Sequence, residues 1–294
     1  MKKSNDGAAA AFLDLGGIKV YSLSDGTVRL DGGAMFGVVP RVLWEKTNPP
    51  DEKNRVLLGI NPLLIQTDGK NILVETGMGE RWDDKGRAMY SIDRSETLEG
   101  SLADLGLSFK DVDIVINTHL HFDHAGGNTV EGASGGLTPA FPRARYIVQE
   151  GELQCAMEPG ERSRASYRPG DFSPVREAGL FDLIDGSKDE TEVVSGVFLF
   201  RTSGHNRHIQ LVRIEGDNKN ALFLSDIIPT AAHINYPYIA AYDLFPLDTL
   251  TVKKELISEA AANGWFLFFY HDPLVRCATV RIGERGRPQI LKVF

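Results

Sequence analysis

Six consecutive residues, His119-Leu120-His121-Phe122-Asp123-His124, place three of the chain's 7 histidines beside an aspartate. The apolar triplet Ile114-Val115-Ile116 just upstream reads as a short strand covered on both faces, so the run begins where that strand ends. In an extended segment the imidazoles of His119 and His121 project to one side and can grip one cation. A helical turn directly afterwards swings Asp123 and His124 toward a second position nearby. Nitrogen and carboxylate donors of this kind suit zinc, and also manganese, cobalt or iron. A chain carrying such a run has to bring further donors to the same strand end, and this requirement constrains its fold more than any other feature.

Three distant residues stand in equivalent places. His205 follows Thr202-Ser203-Gly204, Asp226 follows Leu222-Phe223-Leu224, and His271 follows Phe268-Phe269-Tyr270. Each comes just after a strand-like run, at the kind of sheet edge where α/β proteins place their chemistry. Because a carboxylate can bridge two cations, the predicted partition gives one metal to His119, His121 and His205 and a second to Asp123, His124 and His271. Asp226 is shared, and positions stay open for water and substrate.

The rest of the chain supplies a scaffold for this edge. Ile18 to Leu23, the turn Asp25-Gly26, and Thr27 to Leu30 predict a hairpin, and Pro62 to Thr67, Asp68-Gly69, and Asn71 to Glu75 predict another. Between them lies a long irregular insert containing Gly32-Gly33-Ala34-Met35-Phe36, Pro40, Pro49 and Pro50, of a length that is usually functional or interface-forming. Leu98, Leu102 and Leu105 recur at helical spacing before Gly106, and a second helix is expected from about Thr249 to Ala262, capped by Asp248 or Thr249 and closed by Asn263-Gly264. Val197 to Thr202, Ile209 to Ile214, Ala221 to Ser225 and Trp265 to Tyr270 read as strands. The pattern is α/β, with a sheet interior and helices outside. Residues 1–16 are expected to be a flexible N-terminus and 17–294 a single domain.

The bulk properties exclude several classes. The chain has 294 residues, 42% of them hydrophobic, enough for a sizeable core, and its net charge of -8 comes without any dense Lys/Arg run, which argues against nucleic acid. Its 2 cysteines, Cys155 and Cys277, are too far apart for a thiolate metal site and read as buried thiols. No uncharged apolar run approaches the roughly 20 residues needed to span a bilayer. The apolar stretch Ala8 to Leu13 behind Met1-Lys2-Lys3 is short for a signal peptide, so a cytoplasmic location is expected.

The motif, followed by a distal His, an Asp and a final His, resembles the pattern of the metallo-β-lactamase superfamily in order, and the similarity runs from about Gly17 to Phe294. It implies a four-layer αβ/βα sandwich with two divalent metal ions, zinc foremost, at one edge of paired sheets. Leu73-Val74-Glu75-Thr76-Gly77 is similar to the family's LVDTG, whose carboxylate steadies the site, although here the residue is glutamate. Asp226 stands where β-lactamases carry Cys or Ser, which disfavours antibiotic hydrolysis. Within the family, Gly32 to Pro40 and Ser225-Asp226-Ile227-Ile228-Pro229 most resemble the quorum-quenching lactonase and methyl parathion hydrolase-like branch.

The resemblance implies a hydrolase that opens N-acyl homoserine lactones or related lactones by attack of a hydroxide shared between the metals. A phosphotriesterase or aryl esterase, a glyoxalase II-like thioesterase, and a non-catalytic metal-binding sensor are the alternatives. Asp123 is the expected proton donor and, with Asp226, one of two catalytic carboxylates. Met35, Phe36 and Trp44 are expected to line an apolar channel, with His233, Tyr236 and Tyr238 reaching the pocket after Asp226. The expected partner is a small molecule with an apolar portion, and a homodimer contact is expected through Arg41 to Leu58.

Overall fold

The computed structural model describes residues 12–133 and 135–294. Its first half is ordered as β1 (Phe12–Asp14), β2 (Lys19–Ser22), β3 (Thr27–Asp31), α1 (Gly32–Phe36), α2 (Arg41–Trp44), β4 (Arg55–Gly59), β5 (Leu63–Thr67) and β6 (Lys70–Val74). There follow α3 (Asp84–Tyr90), α4 (Leu98–Ala103), β7 (Ile114–Ile116), α5 (Phe122–Ala125), β8 (Thr129–Glu131), β9 (Leu137–Pro139), β10 (Arg145–Gln149), α6 (Glu150–Met157), α7 (Ser173–Glu177) and β11 (Phe181–Ile184). The second half contains β12 (Glu190–Val194), β13 (Val197–Arg201), β14 (Gln210–Glu215), β15 (Asn220–Phe223), α8 (Pro246–Asn263), β16 (Phe266–Phe268), β17 (Cys277–Ile282) and β18 (Pro288–Val293).

Two 7-stranded sheets result, ordered β1-β2-β5-β6-β7-β10-β11 and β12-β13-β14-β15-β16-β17-β18. Their inner strands are apolar without interruption because both faces are covered. Ile72 and Val74 of β6, Ile114 and Ile116 of β7, and Phe266 and Phe268 of β16 point into one core between the sheets. The alternate residues turn outward: Leu73 and Val115 pack against Leu98 and Leu102 of α4, and Leu267 packs against Leu256, Ile257 and Ala260 of α8. Helix, sheet, sheet and helix therefore form four layers, as the resemblance implies, each closed by apolar burial.

The β5–β6 hairpin forms as expected, with Asp68 (φ 50°) and Gly69 (φ 69°) at its turn. The other predicted hairpin does not. β2 pairs with β5, whereas β3 crosses to a separate two-stranded sheet with β4, a strand hidden in the insert. The cause lies in Asp25, whose buried carboxylate accepts the backbone N–H groups of Met78 and Leu98 and pairs with Arg94. Gly26 (φ 89°) then passes so close to Asp93 O that an added Cβ would lie 2.0 Å from it. A non-local polar anchor thus overrides the local turn signal.

Other boundaries also shift. Phe12–Asp14 already form β1, ahead of Gly17, and Leu13 and Leu15 are buried in the inter-sheet core; residues 1–11 lie outside the described residues. The last helix begins at Pro246, whose fixed φ suits a first helical position, and ends on Gly264 in the left-handed conformation. Cys277 is buried, but Cys155 is only partly so. Among the described residues no helix is long and apolar enough to cross a membrane.

Candidate metal centre and active-site cavity

Parallel pairing of β6 with β7 and of β15 with β16 aligns strand ends at one edge. Beyond those ends lie Glu75, His119, Asp226 and His271. The chain then turns into α5 at His121, which brings Asp123 and His124 round to the same point. Gly126 makes that turn fit: an added Cβ there would come 2.3 Å from Met78 O on the loop beneath. Two residues next to the site, Glu75 (φ 64°) and Ser225 (φ 44°), hold left-handed backbone conformations. Such strain costs about 1–3 kcal/mol each and persists only where surrounding contacts fix it.

Two donor groups are gathered, His119 with His121 and His205, and Asp123 with His124 and His271, each with its ligand atoms within 4.8 Å of one another. Asp226 lies between them. Its Oδ2 is 3.3 Å from His205 Nε2 and 4.0 Å from His119 Nε2, while its Oδ1 is 3.2 Å from His271 Nε2 and 3.4 Å from His124 Nε2. Asp123 Oδ2 is 3.6 Å from His271 Nε2. All seven residues singled out in the sequence therefore converge, and Glu75 closes a third such group with His119 and His124.

The far nitrogens of four imidazoles are each held by another group. His205 Nδ1 meets Asp243 Oδ1 at 2.9 Å, His271 Nδ1 meets Gly59 O at 3.0 Å, and His124 Nδ1 meets Glu75 Oε1 at 3.2 Å. Thr118 Oγ1 donates to Glu75, so it accepts at 3.0 Å from His119 Nδ1 and at 2.7 Å from Ser225 Oγ. These partners put the proton on Nδ1 and leave Nε2 as an inward lone pair. The buried Nε2 atoms of His119 and His124, and Oδ1 of Asp226, have no hydrogen-bond partner among the described residues. Buried polar atoms left unpaired are costly, and here they share one focus, so the donor set fits two divalent cations.

The electrostatics show how strongly the clustered carboxylates and imidazoles act on one another. Burial and the neighbouring imidazoles hold His119 well below the ordinary histidine range. Burial works against a charge on His124 too, but Asp226, Asp123 and Glu75 outweigh it and hold its pKa well above that range. Burial would raise Asp226, yet His124, His271 and His205 keep it well below the usual carboxylate range.

The centre floors a cavity of about 320 Å³ to which His121, Asp123, His205, Asp226 and His271 contribute. Its walls are mainly apolar, with Leu30, Met35, Phe122, Ala240 and Leu244 among them. Of the five residues expected to bind substrate, only Met35 lines it. Phe36 and His233 lie one layer behind: Phe36 stacks between Trp44 (5.2 Å) and His233 (4.7 Å). His233 Nε2 donates to Met35 O at 2.8 Å, and burial lowers its pKa to about 3, so it is a neutral support for the wall. Tyr238 packs edge-on against Phe36, and Tyr236 packs on the α8 side beneath Lys254. Trp44 is likewise core, packed over Gly32. Aromatic residues near a Gly-rich loop fit wall and support equally, and spacing does not separate the two layers.

Several residues that shape the centre and its cavity carried no sequence signal. Asp243 and Thr118, which orient His205 and His119, belong to no motif. Tyr90 at the end of α3, and Arg162, Ser163, Ser166 and Tyr242 from connecting segments, complete the cavity. Glu75 was legible through its place after β6, and its contacts with His124 and Thr118 supply its role.

The model of the metallo-beta-lactamase superfamily matches residues 55–271. The chain belongs to this superfamily. Like its structural neighbours, this superfamily member is a metal-dependent hydrolase with a centre suited to two divalent ions. An N-acyl homoserine lactonase of Bacillus sp is 28% identical over 222 residues, covering 71% of this chain and 79% of that relative. A probable metal-dependent hydrolase from Staphylococcus aureus superposes with a TM-score of 0.87 at 30% identity, covering 96% of this chain and 98% of that one. AidC, described as a dizinc quorum-quenching lactonase in complex with a product, shares the fold with a TM-score of 0.77 at 20% identity, over 97% of this chain and 98% of that one.

Proposed function

We propose that this hydrolase opens the ring of N-acyl homoserine lactones or closely related lactones, and that its two metals are zinc. The observation that carries the reading is the cavity itself, which has a mainly apolar wall standing directly over the seven-residue centre. An apolar acyl arm fits such a wall, and a lactone ester fits its floor. Relatives described as N-acyl homoserine lactonases support the choice of substrate.

Two divalent cations bound at the centre supply Lewis acidity and an activated water at neutral pH. The chain's own groups do the rest. Four of the five imidazoles, tautomerically fixed from behind, present lone pairs without reorganisation. Asp226 holds the two donor sets at one separation. Asp123 faces the cavity beside His271, takes one proton from the attacking water and passes it to the departing ring oxygen, while the other water proton is released to solvent as the new acid ionises. The water oxygen joins the carbonyl carbon, the ring C–O bond breaks, and the products are a hydroxyl and a carboxylate on one molecule. The test is turnover of matched lactones, aryl phosphotriesters and thioesters by protein of known metal content. Lactones should be fastest by kcat/KM; phosphotriester or thioester turnover at least as fast would overturn the substrate reading.

We also propose a homodimer contact through Arg41 to Leu58, supported by the exposed Val42 and Leu43. A monomeric mass in sedimentation at micromolar concentration would exclude it.

A further inference from the structure

Four residues of the segment between α6 and α7, Arg162, Ser163, Ala165 and Ser166, face the cavity. Arg162 is exposed, so its guanidinium sits at the mouth, whereas the floor histidines are buried. Its Nη2 donates to Ala241 O at 2.6 Å, which joins the segment to the opposite rim. That bond uses one of five N–H donors on the guanidinium. Among the described residues Arg162 forms no ion pair, and it is the only Lys or Arg on the cavity lining.

The rest of the polar lining adds to this bias. Apart from the centre's own ligands, the polar side chains facing the cavity are the hydroxyls of Tyr90, Ser163, Ser166 and Tyr242. The only carboxylates on the lining, Asp123 and Asp226, lie at the floor. Asp31, the nearby carboxylate that acts on Tyr242, is already committed as the cap of α1 and to Asn54. The mouth therefore offers several donors and one uncompensated cation above an apolar tunnel. A purely hydrocarbon arm ending there leaves that cation without a partner from the substrate.

We propose that Arg162 is a specificity-determining residue that binds a carboxylate carried by the substrate's acyl arm at the end remote from the scissile ester. This rests on the lactonase reading and narrows it to lactones with an anionic arm. The guanidinium recognises carboxylate through paired N–H donors, and its bond to Ala241 holds it in place before substrate arrives.

The test uses N-adipoyl- and N-hexanoyl-homoserine lactone, which match in acyl carbon number and differ in the terminal carboxylate. In metal-loaded protein, Arg162→Met should lower the adipoyl:hexanoyl ratio of kcat/KM by about tenfold, the lower range for a hydrogen bond to a charged group. Turnover of the hexanoyl lactone should stay within about twofold, since Met keeps the stem's packing. Arg162→Lys should restore part of the ratio. Raising salt from about 0.05 M to about 0.5 M should shrink the wild-type ratio and leave the Met variant's unchanged. An unchanged ratio in Arg162→Met, or an equal loss on both lactones, would overturn the proposal and leave Arg162 as a rim latch. Dissociation constants of the two ring-opened products, read by calorimetry, give the same comparison without turnover. If wild type opens neither lactone, the lactonase reading fails, while the ratio of dissociation constants still decides the role of Arg162.

Discussion

At the cavity floor, five imidazoles and two carboxylates converge from strand ends, and four of those imidazoles are locked from behind by Glu75, Thr118, Asp243 or a backbone carbonyl. At the walls, the lining comes from β3, short helices and the segments that connect them, and its shape is fixed one layer back. There the Trp44–Phe36–His233 stack supports Met35, and Lys253 donates to the carbonyls of His233, Asn235 and Tyr238. The floor is positioned by sheet topology and the walls by a few buried contacts between loops. Chemistry and substrate choice should therefore be separable by mutation, each region failing in its own way.

The largest effect is expected at the floor. Asp226→Asn removes the charge shared by both donor sets, so kcat/KM should fall by about 1000-fold or more, with loss of bound metal seen in metal analysis. Retained metal with near-normal turnover would break the assignment of Asp226 as the bridge.

At the walls the largest expected effect is on stability. Lys253 is fully buried, and burial lowers its pKa to about 7. Lys253→Met leaves three carbonyls unpaired and should destabilise the chain by about 3 kcal/mol at pH 7 in urea unfolding, with bound metal retained. The pH dependence has a definite sign. Between the folded pKa near 7 and the unfolded value of 10.5, the unfolded chain holds a proton that the folded chain has released, so this group adds stability as pH rises. The gap between wild type and variant should widen from pH 7 to 10, and a gap that narrows would contradict the burial of a strained cation.

Smaller effects should separate orientation from ligation. Glu75→Gln and Asp243→Asn keep every inward donor yet loosen one imidazole each, so metal affinity should weaken by about 10–100-fold in chelator competition. Smallest is Met35→Ala, which widens the wall. KM for a long acyl lactone should rise up to about tenfold while kcat and metal content hold, as expected when only uniform binding is removed.

The same division governs what the sequence made legible. The residues gathered at the centre could be read because His119 to His124, Asp226 and His271 follow apolar runs whose strand character is local. The four layers followed from β6, β7 and β16, buried on both faces. The Asp25-Gly26 turn misled because its outcome depends on Leu98, Met78 and Arg94, contacts that no local pattern encodes. Phe36, His233 and Tyr238 were near the site in the chain and in space, but whether a ring lines a cavity or supports its wall is decided by packing across elements. Arg162 and Tyr242 arrive from loops, and Tyr90 from the end of α3, without motif or periodicity.

The most direct test of the account is lactone ring opening recorded while zinc is titrated into chelator-stripped protein. The predicted result is activity that rises to a plateau at two equivalents of zinc per chain. A plateau at one equivalent, or no ring opening at any ratio, would contradict it.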